Sequence, residues 1–156
     1  MAISKKHYEP VLVNAANCVM LEISHLLHAY SEGLVVVGGS VPGLILQNTQ
    51  ERHIGSIDVD IALDRDKIPE TDYLSIKSLL LQRGYEPEEQ PFTFSREVTI
   101  EGQTIKVKVD FLAGEYGGTG KAHRTQRIQD LNPRKARACD LAFVQAVHVR
   151  ITGELP

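Results

Sequence analysis

The chain has 156 residues, 42% of them hydrophobic, which is enough to bury one core and too short for two ordinary domains. Seventeen basic against twenty acidic residues leave a formal net charge of −3, so no global basic field announces a nucleic-acid partner. Cys18 and Cys139 stand far apart without CxxC spacing, which argues against a disulfide framework or a zinc site and predicts buried free thiols. No apolar leader and no run of about eighteen apolar residues occurs, so a soluble cytoplasmic protein with no membrane partner is expected.

In chain order, apolar residues at Leu12, Ala15, Val19, Ile23, Leu26, Leu27 and Tyr30 keep the three-and-four spacing of one helical face, and Gly33 ends it. Leu34-Val35-Val36-Val37 reads as a strand buried on both faces. Gly38-Gly39-Ser40 follows, and Pro42 suits the first turn of a helix running to about Gln50, with Ser40 or its neighbour as the cap. Ile57 to Leu63 alternates apolar residues with Asp58, Asp60 and Ala62, which predicts a strand carrying both aspartates on one face.

A second amphipathic helix is expected from about Asp72 to Arg83, with Tyr73, Ile76, Leu79 and Leu80 inward and Gly84 as its stop. Phe92 to Ile100 and Thr104 to Leu112 read as the arms of an antiparallel hairpin turning at Glu101-Gly102-Gln103, and Asp110 lies near the end of the second arm. Ala113 to about Ala136 is the one basic stretch, with Lys121, His123, Arg124, Arg127, Arg134 and Lys135, followed by Arg137. Cys139 to Val144 and Val147 to Ile151 are expected as closing strands.

The aspartates carry the strongest chemical signal. Two residues apart on a strand, they emerge on one face roughly 6–7 Å apart, close enough for both to reach one or two cations. Without a cation, two charges about 6 Å apart at an effective dielectric of about 20 repel by roughly 3 kcal/mol. Mg²⁺ favours a few carboxylates together with substrate phosphates. The Gly38-Gly39 turn and the helix opening near Ser40 offer backbone N–H groups to such a phosphate.

Taken together, Val36-Val37-Gly38-Gly39-Ser40, Ser56-Ile57-Asp58-Val59-Asp60 and Val109-Asp110-Phe111 resemble the glycine-serine element, the paired acids and the third acid of the polymerase-beta-like nucleotidyltransferase superfamily. The resemblance spans about Leu34 to Leu112. Within the superfamily the chain looks most like the bacterial group that includes toxins of type IV toxin–antitoxin systems. The resemblance implies an α+β domain over residues 1–156, with a small mixed twisted sheet and helices on one face. Asp58, Asp60 and Asp110 would then bind Mg²⁺ or Mn²⁺, Gly38, Gly39 and Ser40 the nucleotide, and Asp110 would also help deprotonate an attacking hydroxyl.

The implied reaction moves a nucleoside monophosphate from a nucleoside triphosphate to a hydroxyl of RNA, protein or a small molecule. Two departures from the family are the long interval between Ser40 and Asp58 and the expected lack of a C-terminal helical lobe. The second makes an antitoxin-like regulatory module, binding nucleotide or protein without turnover, the alternative reading. A sugar-nucleotide glycosyltransferase is disfavoured by the hairpin before Asp110. Gly117 to Lys121 is not a P-loop, because Glu115 and Ala122 stand where glycine and Ser or Thr are needed. His25, His28 and His53 lack the partners of a zinc motif and read as surface residues.

Overall fold

The computed structural model describes residues 10–46, 55–68, 75–114, 128, 130–136 and 139–156. The long apolar stripe near the N-terminus forms α1 (Pro10–Leu26), followed by a 3-10 helix over His28–Gly33. Ala15, Val19, Ile23, Leu27 and Tyr30 of the expected face are buried. The chain continues through β1 (Leu34–Val37), a 3-10 turn over Gly38–Ser40, α2 (Val41–Ile45) and β2 (Val59–Leu63). Next come α3 (Ile76–Arg83), β3 (Glu86–Pro87), β4 (Thr93–Ile100), β5 (Gln103–Ala113), β6 (Arg134–Lys135) and a 3-10 helix over Cys139–Phe143.

The strands form a six-stranded mixed sheet in the order β1-β2-β5-β4-β3, with β6 also pairing β5. The pairs β1–β2, β5–β4 and β4–β3 are antiparallel, and β2–β5 and β5–β6 are parallel. The architecture is therefore α+β, as expected. The hairpin between β4 and β5 turns on Glu101 and Gly102, both at positive φ (51° and 77°), the backbone that a two-residue turn needs to match strand twist.

Side chains alternate across β5: Val107, Val109, Phe111 and Ala113 are buried, whereas Lys106 and Lys108 are exposed. The buried set joins Val59, Ile61 and Leu63 of β2 and Phe94 and Val98 of β4 in one core with α1, Ile76 and Leu80. Helix α1 contacts β2, β4 and β5, so it covers that face of the sheet. The Phe94 and Phe111 rings meet edge to face, 5.9 Å apart.

Within this core α1 buries one charge. The Glu22 carboxylate accepts from Arg83 Nε at 2.8 Å and Arg96 Nε at 2.9 Å, tying α1 to the end of α3 and to β4. Burial alone would raise the Glu22 pKa, but the hydrogen bonds from the arginines outweigh it and hold the carboxyl below its ordinary value. Arg96 also lies over the Tyr85 ring, 5.8 Å from its centre. The Tyr85 hydroxyl is buried beside this carboxylate without a hydrogen bond of good geometry.

Several elements differ from the sequence reading. β1 is not buried on both faces: it is the last strand on its side of the sheet among the described residues, and all four of its residues are half-buried. α3 begins at Ile76, where Ser75 caps it by accepting the Ser78 N–H, and ends at Gly84 in the left-handed region; Asp72 and Tyr73 lie outside the described residues. Cys139–Phe143 is helical rather than extended, and Val147 to Ile151 has no regular structure. The 3-10 helix packs against β1 and β5, and Cys139 at its start is buried. Cys18 is only half-buried.

α2 is five residues long and ends at Ile45, because Leu46 leaves helical backbone (φ −99°, ψ 40°), so the helix expected to reach about Gln50 stops early; residues 47–50, His53 and Gly117 to Lys121 lie outside the described residues. Of the basic residues in that stretch, Arg134 and Lys135 lie among the described residues, and they form β6. No helix among the described residues is long and apolar enough to cross a membrane.

Candidate functional site

One row across the sheet brings the expected residues together. Val37 of β1 pairs with Asp60 of β2, Asp60 with Asp110 of β5, and Asp110 with Thr93 of β4. Adjacent strands lie about 4.8 Å apart, so Asp60 and Asp110 are immediate neighbours. Their flanking residues Val59, Ile61, Val109 and Phe111 are buried in the α1 core, so alternation places both aspartates and Thr93 on the opposite face. On that face Ala62, two residues beyond Asp60, is fully buried, and the 3-10 helix after Cys139 contacts the strands on either side of it.

Asp58 arrives by a different route from the one expected. The strand starts at Val59, so Asp58 sits in a bend and does not share a strand face with Asp60. Ser56 shapes the bend: its hydroxyl donates to the Asp58 carbonyl at 2.9 Å and accepts the Asp58 N–H at 3.4 Å. The Asp58 carboxylate nevertheless lies close enough to Asp110 and Lys108 of β5 to feel their charges, which brings it to the same cluster.

The carboxyls feel one another. Burial first, and repulsion from Asp110 second, raise the Asp58 pKa, while Lys108 pulls it the other way. Asp60 is raised by burial, then by Asp110, then by Asp58. A cation at the cluster would reverse the sign of these repulsions.

The Gly38-Gly39-Ser40 turn packs onto these acids. Gly38 has φ of 76°, and a Cβ there would lie 2.4 Å from Asp60 Oδ2. The space that a side chain at Gly38 would take is thus occupied by the Asp60 carboxylate. A Cβ on Gly39 would meet Ser56 at 3.3 Å. Gly38 and Gly39 are exposed, whereas Ser40 is buried and makes no capping bond with its side chain. With only five residues described in α2, a helix dipole contributes little, and the turn's own backbone is what faces solvent beside Asp60.

Sequence reasoning missed three neighbours. Thr93 Oγ1 donates to Asp110 Oδ1 at 2.5 Å. Lys108 stands two residues from Asp110 on the same face of β5. Arg134 pairs with Leu112, two residues beyond Asp110, and its guanidinium lies 5.9 Å from the centre of the Phe92 ring. Only strand register reveals these proximities, and no local motif encodes it. His25 and His28 are exposed and lie on or just after α1, away from this row.

Among the described residues no three His, Cys, Asp or Glu side chains already close around a single point as a metal cage. The donor set nevertheless suits a hard divalent cation: carboxylates only, two on neighbouring strands and Asp58 in the bend before one of them. Mg²⁺ keeps waters and phosphate oxygens rather than requiring an all-protein cage. No known protein family, curated protein or solved structure matches the chain. Function therefore has to be read from the residues of the site.

Proposed function

We propose that the protein is a metal-dependent nucleotidyltransferase that moves a nucleoside monophosphate from a nucleoside triphosphate to a hydroxyl of an RNA, protein or small-molecule acceptor. The observation that carries this reading is the row in which Asp60 and Asp110 stand side by side with the Gly38-Gly39 turn packed against Asp60. Membership of the polymerase-beta-like superfamily, and a cytoplasmic setting where triphosphates are made, belong to the same proposal.

Asp60 and Asp110, with Asp58 beside them, would hold Mg²⁺ or Mn²⁺. When bound, such an ion neutralises the carboxylates and stabilises charge on the oxygens of the transferring phosphate. The exposed backbone at Gly38 and Gly39 borders the triphosphate, and Lys108 and Arg134 supply positive charge on the same face. Asp110 has one oxygen engaged by Thr93, and its other oxygen receives the acceptor's proton. The acceptor oxygen then bonds to the α-phosphorus as the α–β bridge breaks and pyrophosphate leaves. Positioning and charge stabilisation supply most of the acceleration.

The test is transfer of α-labelled triphosphates, with Mg²⁺ or Mn²⁺, to candidate RNA, protein and small-molecule acceptors, beside Asp60→Asn and Asp110→Asn variants. Loss of about 10²-fold or more in either variant is expected. Transfer that persists in both at the original rate overturns the mechanism.

A further inference from the structure

Val147, Val149 and Ile151 alternate with His148 and Arg150, three β-branched residues at the spacing of one strand face, yet the segment joins no sheet. Among the described residues the backbone of 145–151 makes no hydrogen bond to other backbone. Both ends of the segment are nevertheless anchored. Before it, the 3-10 helix over Cys139–Phe143 packs against β1 and β5, with Lys67 Nζ 5.4 Å from the centre of the Phe143 ring. After it, Ile151 packs against the core and Gly153 lies beside Leu21 of α1. Exposure falls toward that second anchor: Val144 is 71% exposed, Val147 64% and Val149 39%, while Ile151 is half-buried.

From Leu141 to Ile151 the chain has no proline and one charged side chain, Arg150, so it lacks the residues by which exposed strands ordinarily resist pairing. We propose that Val147–Ile151 pairs antiparallel with the same segment of a second copy, with the twofold axis at Val149, to form a symmetric dimer. Two features favour a second copy as the occupant. In that register each Val147 stands opposite the partner's Ile151, so the exposed end of one strand meets the anchored end of the other and the apolar residues share one face. The area also suits it. Leu141, Val144, Val147 and Val149 leave on the order of 400 Å² of side chain open on each copy, to which pairing adds backbone and flanking residues, against about 800 Å² per partner in a standard interface. The surface therefore fits a weak, reversible dimer.

The inference is independent of the proposed reaction and is tested on the full chain by sedimentation equilibrium over a wide range of concentration. Wild type is compared with Val149→Lys, Val149→Glu and an equal mixture of the two variants. Like charges would meet at the axis in each variant alone, and opposite charges in the mixture. Expected are a monomer–dimer equilibrium in wild type, association about 10-fold or more weaker in each variant alone, and recovery of several-fold in the mixture as a heterodimer. Melting at dilutions where wild type is monomeric should be nearly the same for all three chains, because the substitutions fall in a segment without regular structure. A wild type that stays monomeric to about 1 mM overturns the proposal. So does association that both variants keep in full, since the dimer would then use another face. Growth beyond two copies, a mixture no tighter than its components, or weakened association with an equally lowered melt in both variants overturns it as well.

Discussion

Gly38 and Gly102 have almost the same backbone, φ of 76° and 77°, but very different surroundings. A Cβ on Gly102 would meet nothing within 4 Å, whereas one on Gly38 would fall on the Asp60 carboxylate. Substituting alanine at either position costs about 1–2 kcal/mol of backbone strain. The difference lies in function: Gly102→Ala is expected to leave Mn²⁺ affinity unchanged, and Gly38→Ala to weaken it about 10-fold or more, because the displaced atom is the end of a movable side chain. Titration of both variants with Mn²⁺ decides it, and equal affinities would remove Gly38 from the site. The sequence made the turn at Gly38-Gly39 legible, but what occupies the missing Cβ depends on β1–β2 register. No spacing rule supplies that.

Among the elements, those with strong local periodicity were readable: α1 from its apolar stripe, and the β4–β5 hairpin from its alternation and Glu101-Gly102. Those defined by long-range packing were not. β1 looks like a central strand because it is all apolar, and only the sheet order makes it the last strand on its side among the described residues. Asp58 looks like a strand residue, but Ser56 bends the chain before β2. The Glu22 cluster had no sequence signal either, since its arginines lie 61 and 74 residues away. Helix α1 is fastened through it to α3 and β4, so Glu22→Gln should leave both guanidinium groups without their countercharge. The expected loss is about 2–3 kcal/mol, below the range for fully buried pairs because Arg83 stays partly hydrated. Denaturant unfolding measures it. Because Arg96 and Glu22 are on the α1 face and the aspartates on the other, Mn²⁺ affinity should be retained; a parallel loss would mean that the two faces are coupled.

On the scale of the whole molecule, the sheet separates two charged clusters whose titrations oppose each other. Glu22 has a folded pKa below its ordinary value near 4.5, so between the two the unfolded chain binds more protons and stability rises with pH. Asp58 and Asp60 have folded values above an ordinary value near 3.8. From there up through the raised values it is the folded chain that binds more protons, and stability falls as pH rises. The metal-free protein should therefore be most stable at mildly acidic pH, gaining on the acid side from the Glu22 pairs and losing as pH rises through the raised values of Asp58 and Asp60, where burial first and the charge of Asp110 second oppose ionisation. Asp60→Asn removes one contributor to that loss and should raise the neutral-pH melting temperature in EDTA by a few degrees, about 2–4 °C for each kcal/mol recovered. Mg²⁺ or Mn²⁺, binding the folded state, should restore wild-type stability at neutral pH, and by mass action the gain should grow with ion concentration. In the Asp60→Asn variant it should not. Melts from about pH 4 to about pH 8, in EDTA and in Mg²⁺, test both limbs. Stability in EDTA that climbs steadily to neutral pH would show that burial and the charge of Asp110 do not raise Asp58 and Asp60, and the electrostatic case for a cation between the strands would go with it.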